Sequence, residues 1–250
     1  SAVDAAGAMT ATAGNISITT TNDADINGDI TTTAGNIRIT SGKDVDVDGA
    51  VDASGTLTVS QTGTAGSINF SDTLASDNDM TMTGDDVVVT GATTVAGDMS
   101  LTATGNDITV GGTIDASGDL TLTTQTAVGG DVITTGQTVA ADNDLTMTGA
   151  DRVMVGVVNT LEGNAILTAN NEVTIATASD IDGTLTVTST GSLTDSDITV
   201  SGALTVDNDV TIAATSDFSA TALTTSNAGD ISITATNDVT VNVGGAALTA

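Results

Sequence analysis

The sequence predicts an all-β fold, a right-handed parallel β-helix, and three observations lead to this prediction. A short motif returns about every 20 residues, each repeat holds three short segments of alternating apolar and polar residues, and none of the 250 residues is proline. Repeats of this length are typical of solenoids, in which one coil cannot close a core and stacked coils bury a continuous one. We expect about 11 coils of about 20–21 residues, forming a single solenoid over residues 1–250.

The first strand of each repeat follows a Gly or Asn and reads apolar, polar, apolar, Thr, as in GNISIT, GDLTLT and GDISIT. The alternation is that of a strand with one buried side. The first apolar residue recurs at steps of 19 to 25 residues, a nearly constant phase that an antiparallel sandwich would not require. These apolar residues are Ile16, Ile37, Leu57, Met80, Met99, Leu120, Leu145, Ala165, Leu185, Val210 and Ile231.

Two further strands complete each repeat, the second exemplified by KDVDVDG and NDITVGG and the third by AVDASG and TIDASG. Equivalent strands of neighbouring coils should pair in parallel at about 4.8 Å. Every strand N–H then serves as a donor, which agrees with the absence of proline. Glycines recur after the second strands and predict a corner where the chain takes positive φ. They are Gly28, Gly49, Gly91, Gly111 and Gly156.

The composition argues against several functions. With 32 Asp and Glu against 3 Lys and Arg, the net charge is −29, whereas nucleic-acid binding requires basic surface. No apolar segment is long enough to insert into a membrane. The chain lacks His and Cys, so it has neither the base of a Ser-His triad nor the imidazole and thiolate ligands of zinc. The only aromatic residues are Phe70 and Phe218, so aromatic platforms for sugars are missing, and we expect no enzyme.

Two acidic segments, DADINGDI and DVDVDG, begin at Asp23 and Asp44 and lie 21 residues, or one coil, apart. Stacking should bring their polar side chains into one outward patch. Carboxylate and amide oxygens are calcium ligands, so the patch predicts a Ca²⁺ site. An EF-hand is not expected, because its twelfth position falls on Ala34 and Gly55 instead of Glu. The predicted ligands are Asp23, Asp25, Asn27, Asp44, Asp46 and Asp48.

A second interpretation of the acidic residues stays open, namely a solvated face on which Asp was selected for turns. The aspartates placed directly before first strands are assigned to turns in either case. Examples are Asp98, Asp119, Asp144, Asp209 and Asp230.

The first strands also predict a flat outward face, two hydroxyl groups wide. Thr-x-Thr arrays on solenoids resemble the ice-binding face of antifreeze proteins, although Thr is also a favourable residue on any exposed strand. One predicted column is Ser17, Arg38, Thr58, Thr81, Ser100, Thr121, Thr146, Ile166, Thr186, Thr211 and Ser232. The other is Thr19, Thr40, Ser60, Thr83, Thr102, Thr123, Thr148, Thr168, Thr188, Ala213 and Thr234.

The strings GDLTLT, GDISIT and NDVTV resemble the repeats of filamentous haemagglutinin and related large bacterial exoproteins and adhesins. The resemblance covers nearly the whole chain. It implies a β-helix with coils of similar length that serves as a surface stalk or fibre.

These observations together predict a non-catalytic structural protein outside the cell or at its surface. The rigid acidic β-helix would be the stalk of an adhesin or exoprotein, or a subunit stacking end to end into a fibre. Expected partners are more coils of the same chain, a second copy, or a cell-surface or glycan partner. The alternatives are a Ca²⁺-binding or ice-binding solenoid and, ranking below them, a polysaccharide-acting β-helix enzyme.

Overall fold

Because apolar and polar residues alternate along each strand, the apolar side chains lie on one side of it and are buried in a shared interior. The computed structural model describes residues 2–125, 129–134, 137–191, 196–221 and 224–241. In these ranges the chain contains strands and turns and no helix, and each coil supplies one strand to each of three parallel sheets. The prediction of a parallel β-helix with about 11 coils is therefore confirmed.

The three sheets, named A, B and C in the order in which the chain enters them, contain the following strands among the described residues. Sheet A holds Val3–Ala5 (β1), Ala24–Ile26 (β4), Val45–Val47 (β7), Ser67–Phe70 (β10), Asp86–Val89 (β13), Ile108–Val110 (β16), Val132–Thr134 (β19), Val153–Val155 (β22), Val173–Ile175 (β25), Ile198–Val200 (β28), Phe218–Ala220 (β31) and Val239–Val241 (β34). Sheet B holds Met9–Ala11 (β2), Ile30–Thr32 (β5), Val51–Ala53 (β8), Leu74–Ser76 (β11), Thr93–Val95 (β14), Ile114–Ala116 (β17), Thr138–Ala141 (β20), Val157–Thr160 (β23), Ser179–Ile181 (β26), Leu204–Val206 (β29) and Thr224–Ser226 (β32). Sheet C holds Ile16–Thr19 (β3), Ile37–Ser41 (β6), Leu57–Gln61 (β9), Met80–Gly84 (β12), Met99–Ala103 (β15), Leu120–Thr124 (β18), Leu145–Gly149 (β21), Ala165–Ala169 (β24), Leu185–Ser189 (β27), Val210–Ala214 (β30) and Ile231–Ala235 (β33).

Every strand pairs with its equivalent one coil away. In sheet C, for example, Met80 lies opposite Met99, and Met99 lies opposite Leu120. The repeating first strands of the sequence are thus the strands of sheet C, the second strands form sheet A and the third strands form sheet B. Constant register follows from the constant phase of the repeat, because a slip by one residue would expose the apolar side.

The interior is narrow and is filled mainly by Val, Ile, Leu, Met and Ala. Both aromatic residues, Phe70 and Phe218, are fully buried in it. Removing apolar surface from water gives about 25 cal/mol per Å², so the core of stacked aliphatic side chains is the main stabilising contribution.

The predicted glycine corner needs a correction. Gly28, Gly49 and Gly91 do not have positive φ; among the described residues positive φ occurs at Gly14, Gly35 and Gly129. The reason for glycine at position 49 is close approach between coils, because a Cβ there would lie 2.5 Å from the carbonyl oxygen of Gly28. Gly111 does not share this constraint, since the nearest atom to a Cβ there lies at 3.5 Å.

Within the described ranges, no helix has the length and apolar character needed to cross a membrane. Residues 242–250, which the sequence assigns to continued repeat, lie outside the described residues.

Candidate functional site

The outward side of sheet C carries the two predicted columns of hydroxyl groups. The strand register confirms every neighbour in both columns. No carboxylate stands in either column, so this face is uncharged apart from Arg38. Arg38, Ile166 and Ala213 interrupt the hydroxyl array, and Ile166 is 40% exposed. Ice binding by this face stays a prediction.

The predicted calcium patch lies on the outward side of sheet A. Asp25 lies opposite Asp46, and Asp4, which the sequence analysis did not include, lies opposite Asp25. Three carboxylates therefore stand one strand spacing apart, about 4.8 Å. Two such charges repel by about 1 kcal/mol in water and by about 3.5 kcal/mol at an effective dielectric of 20.

Most of the predicted ligands already accept or donate hydrogen bonds within the protein. Oδ1 of Asp44 accepts the backbone N–H of Ser67 at 2.9 Å, and Oδ1 of Asp46 accepts Nδ2 of Asn69 at 2.7 Å. Asp48 accepts the Ser71 hydroxyl at 2.8 Å. Nδ2 of Asn27 donates to Oδ1 of Asp25 at 3.0 Å, and the backbone carbonyl of Asp23 accepts the N–H of Val3 at 2.9 Å.

The bonds of Asp44, Asp46 and Asp48 connect one coil to the next and give these carboxylates a structural use that needs no cation. In the part of the chain that the structure describes, no group of three or more acidic side chains is arranged to hold a metal ion. Calcium binding by the patch stays a prediction.

A different arrangement of Asp and Asn recurs along the whole solenoid, at the corner directly before the strands of sheet C. There the side-chain Oδ1 accepts the backbone N–H of the equivalent residue in the next coil. We call this series the sheet C ladder. Its bonds, with N···O distances, run Asn15–Asn36 (2.8 Å), Asn36–Thr56 (2.9 Å), Asp79–Asp98 (3.1 Å), Asp98–Asp119 (2.9 Å), Asp119–Asp144 (3.2 Å), Asp144–Asn164 (2.8 Å), Asn164–Thr184 (2.9 Å) and Asp209–Asp230 (2.9 Å).

The sheet C ladder explains the glycine that precedes Asp or Asn in the repeat motif. A Cβ at Gly97 would lie 2.4 Å from Oδ1 of Asp79, the acceptor in the coil before it. A Cβ at Gly118 would overlap Oδ1 of Asp98 in the same way. A ladder acceptor therefore favours glycine in the coil that follows it, which is a tertiary reason for the Gly-Asx pair.

Asn replaces this glycine in three coils, and two of these exceptions support the reason. Asn78 and Asn208 replace the glycine in the coils that follow Thr56 and Thr184, where the residue before the strand is Thr and no Oδ1 blocks the position. Asn143 replaces it over Asp119, and there the ladder bond, at 3.2 Å, is the longest of those given above.

A second series, the sheet A ladder, lies where the strands of sheet A begin, at the first strand residue or directly before it. The acceptor is again Oδ1 of an aspartate and the donor a backbone N–H of the next coil. Its bonds run Asp44–Ser67 (2.9 Å), Asp86–Asp107 (3.1 Å), Asp107–Asp131 (2.9 Å), Asp131–Arg152 (3.1 Å), Asp197–Asp217 (3.1 Å) and Asp217–Asp238 (3.0 Å). The predicted calcium ligand Asp44 is thus a member of this ladder.

Arg152 interrupts the acids of the sheet A ladder and forms an ion pair with Asp131. Its Nη2 donates to Oδ2 of Asp131 at 2.6 Å and its Nε to Oδ1 at 3.3 Å. The Asp131 side chain is only 6% exposed. By hydrogen bond and by charge, Asp131 raises the pKa of Arg152 above its ordinary value, so the guanidinium stays charged.

Sequence reasoning placed the ladder aspartates correctly before strands but missed their partners. The sequence assigns the aspartates before sheet C, such as Asp98 and Asp119, to turns and Asp44 to a calcium site, whereas their Oδ1 atoms bond to backbone one coil away. The signal was present in the sequence, because Asp, Asn or Thr directly precedes each strand of sheet C.

Comparison with known families gives one match. A family model described as haemagglutinin repeat matches residues 1–64 and 180–243, just over half of the chain. Comparisons with curated proteins and with solved structures found no match.

Proposed function

Because the chain belongs to the haemagglutinin repeat family, we propose that it is a non-catalytic, rigid shaft segment of an adhesin-like protein at or outside the cell surface. The shaft would be the stalk of a larger exoprotein or a unit of a fibre. The observation that carries the proposal is the strand order of the three sheets, in which each strand pairs with its equivalent one coil away.

Parallel pairing along the axis explains why such a segment would resist bending and proteolysis. The strand hydrogen bonds run along the rod, and the two corner ladders add side-chain bonds in the same direction. Eleven coils at about 4.8 Å per coil give a rod about 50 Å long.

The surface supports the same function. A net charge of −29 favours solubility of a repeat protein whose strands would otherwise invite pairing with other chains. The corners between strands carry Asp, and the repulsion between like charges discourages lateral association of neighbouring rods.

Immunogold labelling of intact cells of the source organism, with an antibody raised against this chain, tests the location and the shaft function together. We expect label outside the envelope, at a distance from the cell surface. Label that is seen only after cells are broken open would contradict the proposal. An antibody against a cytosolic protein controls for cell integrity.

The non-catalytic part of the proposal has its own test. Incubation of the chain with a panel of polysaccharides should release no new reducing ends. Release that disappears in the double variant Asp25→Asn, Asp46→Asn would instead indicate a glycosidase, since these two carboxylates lie side by side.

A further inference from the structure

Within the described residues, the outward side of sheet C is the one sheet surface that carries no carboxylate. Sheet A exposes Asp25 and Asp46 on its outward side, and sheet B exposes Asp52 and Asp115. Like charges that face each other across an interface oppose association. In a chain with a net charge of −29, sheet C therefore offers the approach at which a second copy meets the least repulsion.

This surface is also large enough for a stable contact. Sheet C has eleven strands about 4.8 Å apart, and a five-residue strand such as Leu120–Thr124 is about 17 Å long. The outward side therefore measures roughly 50 Å by 17 Å, or about 850 Å². Specific protein interfaces bury about 800 Å² on each partner. A second copy seated along the whole surface would thus bury an area typical of a specific dimer.

Exposed apolar side chains lie on and beside the same surface. Among the described residues, the large apolar side chains that are exposed are Leu161, Ile166 and Val239. Ile166, 40% exposed, stands in an outward column of sheet C on β24, and Leu161, 61% exposed, lies in the corner between β23 and β24. Covering Ile166 with a partner removes apolar surface from water, which favours association.

The charges along this side of the rod differ between its two ends. At the first two strands of sheet C the ladder residues are Asn15 and Asn36, which are uncharged, and β6 adds the cation Arg38. Arg38 is exposed and takes part in no ion pair among the described residues. At the last two strands the ladder residues are Asp209 and Asp230. Such a pattern complements itself when two copies run in opposite directions.

We propose that two copies of the chain pair through the outward sides of sheet C in antiparallel orientation, with a two-fold axis at β18, the middle strand. β6 of one copy then faces β30 of the other, and Arg38 pairs with Asp209 of the partner subunit. The two-fold axis repeats this pair at the other end, as an isologous interface requires. A parallel pair would instead bring Arg38 near Lys43 of the partner subunit, because equal coils would face each other.

The aspartates at the corners do not prevent this pairing at physiological ionic strength. Sheets that pack face to face lie about 10 Å apart, and charges more than about 8 Å apart are largely screened in about 0.15 M salt. The long side chain of Arg38 crosses this gap and can donate two parallel hydrogen bonds to a carboxylate. The pairing is independent of the shaft function, since a single rod can serve as a shaft.

Sedimentation equilibrium of the chain in about 0.15 M NaCl tests the pairing. We expect monomer and dimer in equilibrium, with a dimer fraction that rises with concentration. Thr121→Glu places two carboxylates opposite each other at the two-fold axis and should weaken dimerisation by about tenfold or more. Thr109→Glu adds the same charge to the outward side of sheet A and is the matched control, which should dimerise as the unmodified chain does.

A charge exchange tests which strands face each other. Arg38→Asp should weaken dimerisation by about tenfold, and the double variant Arg38→Asp, Asp209→Arg should restore it, because opposite charges face each other again. Asp209→Arg also removes the acceptor for the N–H of Asp230, so the melting temperature of the double variant is measured in parallel.

The orientation can be measured without changing the interface. The chain has no cysteine, so Ala13→Cys, at an exposed position in the corner before β3, provides a single site for a spin label. In the antiparallel dimer the two labels are ten coil spacings, or about 48 Å, apart along the rod. In a parallel dimer they would lie within about 30 Å.

A chain that stays monomeric at all concentrations overturns the inference, and thermal hysteresis caused by that monomer would assign the surface to ice instead. The inference is also overturned if Thr121→Glu dimerises as the unmodified chain does, if the folded double variant does not recover dimerisation, or if the labels lie within about 30 Å. None of these results would affect the immunogold test of the shaft, so the two proposals fail separately.

Discussion

The corner before sheet C and the corner before sheet A use the same hydrogen bond but treat its charge differently. In the sheet C ladder, Asp79, Asp98, Asp119 and Asp144 stack in successive coils without a cation among them. In the sheet A ladder, Arg152 follows the buried Asp131 and neutralises it. The difference shows that exposed aspartates can stack in this solenoid without a cation, because water solvates their charges. The buried carboxylate of Asp131, in contrast, has a guanidinium partner.

The largest expected effect concerns the glycine over a ladder acceptor. Gly118→Ala should lower the free energy of unfolding by about 1–3 kcal/mol, because its Cβ would lie 2.2 Å from Oδ1 of Asp98. Chemical denaturation measures the loss. Gly111→Ala is the matched control and should change stability by less than about 1 kcal/mol, since its Cβ has room. Equal losses in both variants would contradict the explanation of the Gly-Asx pair.

The next effect concerns the ion pair of the sheet A ladder. Arg152→Ala leaves the buried Asp131 carboxylate without its guanidinium partner and should cost about 1–3 kcal/mol of unfolding free energy. Lys43→Ala, at an exposed position, should cost less than about 0.5 kcal/mol.

The pH dependence of this loss follows from the raised pKa of Arg152. A folded-state pKa above the unfolded one gives stability that is fully present below the unfolded pKa and is lost as pH rises through the folded pKa. The loss caused by Arg152→Ala should therefore be constant across the neutral and mildly alkaline range. Denaturation curves that converge on mild alkalinisation would argue against a charged pair.

A smaller effect of opposite sign is expected in the sheet C ladder. Asp119→Asn keeps the Oδ1 acceptor for the N–H of Asp144 and removes repulsion from Asp98 and Asp144, so it should raise the unfolding free energy by about 0.5 kcal/mol at low salt. The gain should shrink at high salt. Asp119→Ala, which loses the acceptor, should instead destabilise by about 1 kcal/mol. If Asn and Ala behave alike, the carboxylate is not a ladder acceptor.

The smallest effect is that of calcium on the acidic patch of sheet A. If Ca²⁺ relieves the repulsion between Asp25 and Asp46, millimolar Ca²⁺ should raise the melting temperature by about 1–2 °C. Calorimetry with Ca²⁺ and with an equal concentration of Mg²⁺ measures this, and the variant Asp46→Asn should lose the rise. An unchanged melting temperature in the original chain would remove the calcium interpretation and leave the acids as hydrogen-bond acceptors.

The fold could be predicted almost completely from the sequence. Ile16, Ile37 and Leu57 stack as the repeat requires, and Ser17, Arg38 and Thr58 stand opposite one another on the outside. The candidate sites could be predicted only in part. The pairing of Asp25 with Asp46 followed from the repeat length, whereas the bonds that Asn15 and Asn36 accept from the next coil did not.

The sequence by itself determined which residues share a column and which side of each strand is buried, because both depend only on a period of two within strands and a nearly constant phase between coils. The tertiary structure alone decided what the corner residues do. The backbone N–H accepted by Asp98 belongs to Asp119, and the atom that excludes a side chain at Gly118 belongs to the coil before it. These partners are distant in sequence. Whether they come within hydrogen-bond distance depends on the offset between stacked corners, and no local sequence pattern encodes this offset.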